Sequence, residues 1–239
     1  MCEIDGCERV AFARPKHIAL IPDGNRRWAR KHGKTPVEGH AVGIDNLGNL
    51  LRWCREFGVK ELTAWGFSTE NFDRPASEVR GLMKLFEKKL LEAEKRHDVH
   101  KYGIRVRVLG DLDRFPARFR DKIRELEGRT DKYDKYQFNI LLSYGGRKEI
   151  LDAVNRAIAG GVRRVDEASF RKLLWTGALS SDPDLIIRTA GESRLSGFLP
   201  WQGAYSEHYV SKKLWPDFKR ADFVKALRDY SKRKRRFGK

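Results

Sequence analysis

The chain has 239 residues, room for one large α/β unit or two small ones, and no run in it approaches the roughly 18 apolar residues of a membrane span. Met1-Cys2-Glu3 begins no signal peptide, and Cys2, Cys7 and Cys54 make neither a disulfide framework nor a zinc site, so a cytosolic protein is expected. A formal net charge of +17 with 35% charged residues points to nucleic acid, an anionic membrane surface or phosphorylated substrates as partner, or to a thermophilic surface. Apart from the run at 232–236 the charge is diffuse, and composition does not choose among these.

Residues 1–16 read as an irregular lead-in, and 17–239 as one continuous domain without a Pro/Gly/Ser-rich linker or internal repeat. Ile18–Ile21 is wholly apolar, the pattern of a strand buried on both faces of a parallel sheet. Pro22-Asp23-Gly24-Asn25 ends it with turn chemistry, and a helix can start at Arg26. Helical spacing over Ala41–Phe57 precedes a C-terminal Gly58, and Lys60–Trp65 is a second strand. Ser77 is placed to cap a long helix bearing Val79, Leu82, Met83, Phe86 and Leu90. Further strands are expected at Ile104–Leu109, Gln137–Leu142, Leu185–Ile187 and Glu207–Ser211. Helices are expected at Ala117–Leu126, after Gly145-Gly146, near Glu167–Trp175 and around Phe223–Tyr230. Strands alternating with helices predict an open, mostly parallel α/β sheet, whose ligands bind beyond the C-terminal strand ends.

Those ends are rich in anion chemistry. The first carries Asp23, Gly24, Asn25, Arg26 and Arg27, with Trp28 and His40 further on. The second carries Ser68, Asn71 and Arg74. The fifth carries Arg188, Glu192, Arg194 and Ser196, suited to a second diphosphate, with Glu207 a further carboxylate. A strand, a Gly-containing turn and a helix start favour a bound anion, yet Asp23 sits in their midst. A carboxylate about 4 Å from a phosphate costs roughly 4 kcal/mol at a surface-like dielectric. Mg²⁺, held by one or two carboxylates plus phosphate oxygens, resolves that conflict. Aromatic residues at 67, 72, 198, 201 and 205 make the ligand part apolar. No G-x-x-x-x-G-K-[ST] or G-x-G-x-x-G is present, and His97 and His100 lie at a helix end amid charge.

From His17 to Gly238 these motifs resemble the cis-prenyltransferases, the undecaprenyl-diphosphate-synthase-like enzymes. The resemblance rests on H-I-A-L-I-P-D-G-N-R-R-W-A, G-H at 39–40, G-F-S-T-E-N-F-D-R-P, N-I-L-L-S-Y-G-G-R, D-L-I-I-R-T-A-G-E-S-R-L-S-G-F-L-P-W-Q, Y-S-E and L-W-P-D-F, in that order. It implies a mostly parallel sheet flanked by helices, an apolar tunnel between them, and a homodimer. It implies repeated cis-condensation of isopentenyl diphosphate with an allylic diphosphate primer, with Mg²⁺ required. The product would be a long-chain polyprenyl diphosphate, a glycosyl-carrier lipid precursor that associates with membrane, so a peripheral position at a membrane surface is compatible with a cytosolic enzyme.

By position, the resemblance gives Asp23 the metal-diphosphate centre and gives Gly24, Asn25, Arg26 and Arg27 the primer's diphosphate, with Trp28 beside them. His40, Ser68, Asn71 and Arg74 match positions around the reacting carbons. Arg188, Arg194 and Ser196 would hold isopentenyl diphosphate, with Glu207 reaching the metal. Arg236-Phe237-Gly238 matches an R-x-G motif that completes the partner subunit's site. The proton acceptor stays open among diphosphate, Asp23 and the Ser68/His40/Asn71 group.

Pro36 stands where bacterial members commonly carry a primer-binding Arg, and Ser193 where some carry His, which bears on primer preference. A basic nucleic-acid-binding protein would explain the charge but not Asp23 and Glu207, so no specific nucleic acid is expected. Intact Asp23, Asn71 and Arg74 argue against a non-catalytic subunit. With diphosphates at the C-terminal strand ends the product chain must run toward the N-terminal ends. Tyr136 is then expected to help close the tunnel floor, with Phe86 and Leu90 the alternative stoppers.

Overall fold

The computed structural model describes residues 13–94 and 97–233. The strands are β1 (His17–Ile21), β2 (Glu61–Trp65), β3 (Ile104–Leu109), β4 (Tyr136–Leu141), β5 (Leu185–Arg188) and β6 (Glu207–Val210). They form one sheet in the order β3-β4-β2-β1-β5-β6, and every pair is parallel. The helices between them are α1 (Asn25–Lys31), α2 (Pro36–Glu56), α3 (Ala76–Glu94), α4 (His97–Lys101), α5 (Ala117–Thr130), α6 (Gly146–Ala159), α7 (Glu167–Leu173) and α8 (Arg220–Lys232).

The open parallel α/β architecture is as the alternation predicted, but α4 was not expected, α5 runs past Leu126 to Thr130, and two helix starts are displaced. α2 begins at Pro36, ahead of Ala41, because Thr35 makes a capping box with Glu38 and Pro36 occupies the first turn. α3 begins at Ala76, so Ser77 lies inside its first turn and is not the residue before it.

Alternation along the strands separates two faces. Ile18, Leu20, Leu62, Ala64 and Phe138 join Leu50, Trp53, Leu82, Phe86, Ile123 and Phe223 in the main core under α2, α3, α5 and α8. Each fully buried large side chain there contributes about 1.5–3 kcal/mol. The opposite face is apolar near the C-terminal strand ends, where Ala19, Ile21, Leu141 and Ile186 pack on Phe198 and Leu199. Near the N-terminal ends it is polar yet buried. His17 Nε2 lies 2.8 Å from Thr63 Oγ1, and Asn139 Nδ2 donates to Glu61 Oε1 at 2.8 Å and to Thr63 Oγ1 at 3.0 Å. These bonds hold the row in place, while Glu61 Oε2 has no hydrogen-bond partner and lies 3.7 Å from His17 Nδ1.

Candidate active site

The first loop is locked before any ligand arrives. Gly24 has φ 109°, and a Cβ there would lie 2.9 Å from Leu214 Cδ2, so only glycine fits. The Asp23 carbonyl accepts from Thr189 Oγ1 at 2.7 Å and from the Trp215 N–H at 3.0 Å. Trp215 is itself held by its Nε1, which donates to the Gly43 carbonyl at 2.7 Å, and by Asn46, which donates to its carbonyl. Gly43 also leaves room for Asn25, whose Oδ1 would sit 2.2 Å from a Cβ at that position. Asn25 Nδ2 donates to the Pro22 carbonyl, while its buried Oδ1 has no partner.

The Asp23 carboxylate faces two guanidinium groups: Arg188 Nη2 donates to Oδ2 at 3.0 Å, and Arg27 Nη2 lies 3.4 Å from Oδ1. Arg188 is buried; its Nη1 donates to Ser196 Oγ at 3.0 Å and to the Arg194 carbonyl, and its Nε is without a partner. Ser196 is held at φ 53°, a left-handed conformation that costs a non-glycine residue roughly 1–2 kcal/mol. Glu192, 3.7 Å from Arg27 and 2.6 Å from Arg194, completes the cluster.

Across the cleft, β2 ends in Gly66-Phe67-Ser68 and a 3₁₀ turn over Thr69–Asp73. Asn71 Oδ1 accepts from the Ser68 N–H at 3.1 Å, so Asn71 shapes the turn that presents Ser68. Arg74 Nη1 donates to Glu78 Oε1 at 3.1 Å and lies 3.4 Å from His40 Nε2. Arg26 Nε is 3.5 Å from the same Glu78 oxygen. Burial, then the Arg74 and Arg26 charges, push the His40 pKa down to about 4, so its ring is neutral at pH 7 and accepts from Arg74.

Asp23, Gly24, Asn25, Arg26, Arg27, His40, Ser68, Asn71, Arg74, Arg188 and Ser196 line one cleft of about 790 Å³, which also receives Arg30 and Lys34. Ile44, Leu47, Gly66 and Phe86 line both this cleft and an adjoining arm of about 220 Å³ between α2, α3 and the sheet. Phe138, Ile140, Leu142, Leu90 and Val106 give the arm an apolar wall. This arm is the apolar tunnel that was expected.

Asp23, Gly24, Asn25, Arg26, Arg27, His40, Ser68, Asn71, Arg74, Arg188 and Ser196 are thus brought together. Four expectations come out differently. Glu207 begins β6, level with Leu185, whereas Asp23 follows Ile21, which is level with Arg188 and Val210. The parallel register therefore puts Glu207 at the far end of its strand, where Arg233 Nη1 donates to it at 2.7 Å, and within the chain it does not join Asp23. Trp28 turns away from the cleft, donates to Asp217 at 2.9 Å and stacks on His32, since one step along α1 rotates it off the Arg27 face. The Arg194 side chain is exposed and tied to Glu192 at the mouth, outside the lining. Tyr136 packs at the edge of the core with Lys60 over its ring and does not line the arm, whereas Phe86 and Leu90 do. Arg236 and Gly238 lie outside the described residues.

Sequence reading missed Glu78, although its i,i+4 spacing from Arg74 signals an ion pair. It also missed Thr189 and Gly43, whose roles arise only where distant loops meet.

Residues 21–238 match the family model described as "Putative undecaprenyl diphosphate synthase". The chain belongs to the undecaprenyl diphosphate synthase family. A member from Pyrococcus horikoshii, named tritrans,polycis-undecaprenyl-diphosphate synthase (geranylgeranyl-diphosphate specific), is 46% identical over 231 residues, covering 94% of this chain and 87% of that protein. The isoprenyl transferase of Thermotoga maritima is also 46% identical, covering 94% and 97%. The crystal structure of lavandulyl diphosphate synthase from Lavandula x intermedia in complex with dimethylallyl diphosphate superposes with a TM-score of 0.88 at 36% identity, covering 95% of this chain and 99% of that one. As a member of this family, the chain is a prenyltransferase of cis-prenyl chain elongation.

Proposed function

We propose that this synthase extends an allylic diphosphate primer by repeated addition of isopentenyl diphosphate, using Mg²⁺ and working as a homodimer. The observation that carries the reading is the junction itself: a guanidinium-rich cleft opens directly into an apolar arm. An ionised head and a hydrocarbon tail fit the two parts and would not fit either alone. The name of the Pyrococcus horikoshii relative favours a geranylgeranyl primer, and Pro36, where bacterial members commonly carry Arg, lines the cleft. A glycosyl-carrier lipid is the proposed fate of the product.

In this reading the backbone of Gly24, Asn25 and Arg26 and the Arg27 side chain hold the primer's diphosphate. Arg188, Ser196 and, from the mouth, Arg194 hold isopentenyl diphosphate. Arg74, braced by Glu78 and His40, adds positive charge beside the departing diphosphate, where preorganised donors act most strongly. The neutral His40 ring and the aromatic rings of Phe67 and Trp65 keep the reacting carbons from water, which protects a developing allylic cation. Ser68, presented by Asn71, faces the same space.

The donor set fits Mg²⁺. Among the described residues no three His, Cys, Asp or Glu side chains converge, so an all-protein cage is absent, while Asp23, the acidic residue of the cleft lining, offers a carboxylate that Mg²⁺ could share with phosphate oxygens. When bound, the ion would neutralise diphosphate oxygens and ease their departure.

The homodimer has its own support in α6. Leu151 and Ile158 are 64% and 69% exposed, with Val154 between them, an outward apolar stripe at helical spacing that a second copy would cover. Among the described residues no helix is long and apolar enough to cross a membrane.

The test is incubation with radiolabelled isopentenyl diphosphate, Mg²⁺ and allylic primers of increasing length, followed by product sizing. A ladder of products in five-carbon steps is expected. A single condensation product, or no incorporation with any primer, would overturn the reading.

A further inference from the structure

The wall of the arm is not uniform. Ile44, Leu47 and Leu51 give it the apolar face of α2, but Asp45, Asn49 and Arg52 from the adjacent stripe line it too. The arm therefore breaks through toward solvent between α2 and α3, and Gly48 contributes no side chain to block it. Lys89 of α3 crosses this gap: its Nζ donates to Asp45 Oδ1 of α2 at 2.7 Å and to Glu92 Oε2 at 2.8 Å. Lys89 is 22% exposed and Asp45 66%, so the lysine stem lies along the opening while its charge is tied at the rim.

We propose that the Asp45–Lys89 pair straps a side portal of the arm and thereby sets product length. This rests on the elongation reading. An apolar cavity of about 150 Å³ takes one six-carbon ring, so an arm of about 220 Å³ is filled by a short stretch of isoprenoid. A longer chain must displace some wall. On the inner side the walls are Val106, Phe138 and Val99, packed into the main core. On the outer side the wall is a surface ion pair, weakly held and screened by salt. The outer wall yields first, and the chain leaves between α2 and α3.

The test uses the full chain, labelled isopentenyl diphosphate, an allylic primer and Mg²⁺, with products sized at low and raised salt. Lys89→Met and Asp45→Asn are expected to shift the longest product upward by at least one five-carbon unit. The charge-exchanged variant, Lys89→Asp with Asp45→Lys and Glu92→Lys, should return the ladder to the parental one. Raised salt should lengthen parental products while leaving those of Lys89→Met unchanged. An unaltered ladder in folded, active single variants would overturn the strap, as would a Lys89→Met protein that keeps the parental salt response. Absence of any ladder from the parental protein would instead remove the elongation reading, and the strap with it.

Discussion

The cleft and the arm are two ends of one cavity built by opposite means. In the cleft, Arg27, Arg74 and Arg188 converge with Asp23, Glu78 and Glu192, on loops that need left-handed backbone at Gly24 and, at a cost, at Ser196. In the arm, ordinary helix and strand positions supply Leu47, Phe86 and Phe138, and nothing about their backbone is unusual. Individual charges therefore decide what the cleft does, and the room inside the arm and the closure of its wall decide what the arm does. Substitution in the cleft should change whether the reaction runs. Substitution in the arm should change how far it runs.

Asp23→Ala should produce the largest effect. It removes the proposed metal carboxylate and leaves Arg188 and Arg27 without their shared acceptor. Loss of a preorganised charge of this kind costs about 10²–10³-fold in kcat, and Mg²⁺ titration of the purified variant should show no recovery. A folded Asp23→Ala protein with parental turnover would break the cleft half of the comparison.

Arg194→Ala should cost roughly 1.5–3 kcal/mol of isopentenyl diphosphate binding, the worth of one charge-assisted contact. Steady-state kinetics with each substrate varied in turn should show that substrate's KM rise about 10–150-fold, the same energy expressed as a ratio. A rise confined to the primer's KM would mean that the two diphosphate sites are exchanged.

In the arm, Phe86→Ala should lengthen products while leaving the first condensation at near-parental rate. Tyr136→Ala, outside the lining, should move the ladder less. Equal shifts from both would show that the floor extends behind Phe138. Product sizing under identical substrate ratios makes the comparison.

The smallest effect is on stability. The His40 pKa is about 4 folded against an ordinary 6.5, so between those values the unfolded chain binds more protons. Stability should fall as pH drops from about 6.5 to about 4, by at most about 3 kcal/mol from this residue. Burial lowers the His17 pKa as well, so part of the decline belongs to that ring. His40→Gln should flatten, not abolish, the fall of Tm over that window, and an unchanged slope would show that His40 is not held neutral.

The same contrast explains what was legible in the sequence. The first loop could be read because its chemistry is local: Asp23, Gly24 and Arg27 lie within five positions and turn back on one another. The apolar runs of β1 and β5 marked those strands because burial on both faces writes continuous hydrophobic sequence. Glu207 could not be placed, since its nearness to Tyr205 in the chain says nothing of strand register, and register sends it to the opposite end of the sheet. The buried row of His17, Glu61, Thr63 and Asn139 was equally hidden, because its members satisfy one another only after three strands pair. Nothing in the sequence sets Lys89 apart from the other lysines of α3, because its pairing with Asp45 exists only where α2 lies beside α3.

The most direct test of the division between cleft and arm is a crystal structure with Mn²⁺ and an unreactive thio-diphosphate analogue of a long allylic primer, with the ion located by anomalous scattering. The account predicts the ion at the Asp23 carboxylate, the diphosphate against Gly24–Arg27, and the hydrocarbon running past Leu47 and Phe86 toward Phe138. An ion away from Asp23, or a chain lying on the opposite face of the sheet against Phe198 and Leu199, would contradict it.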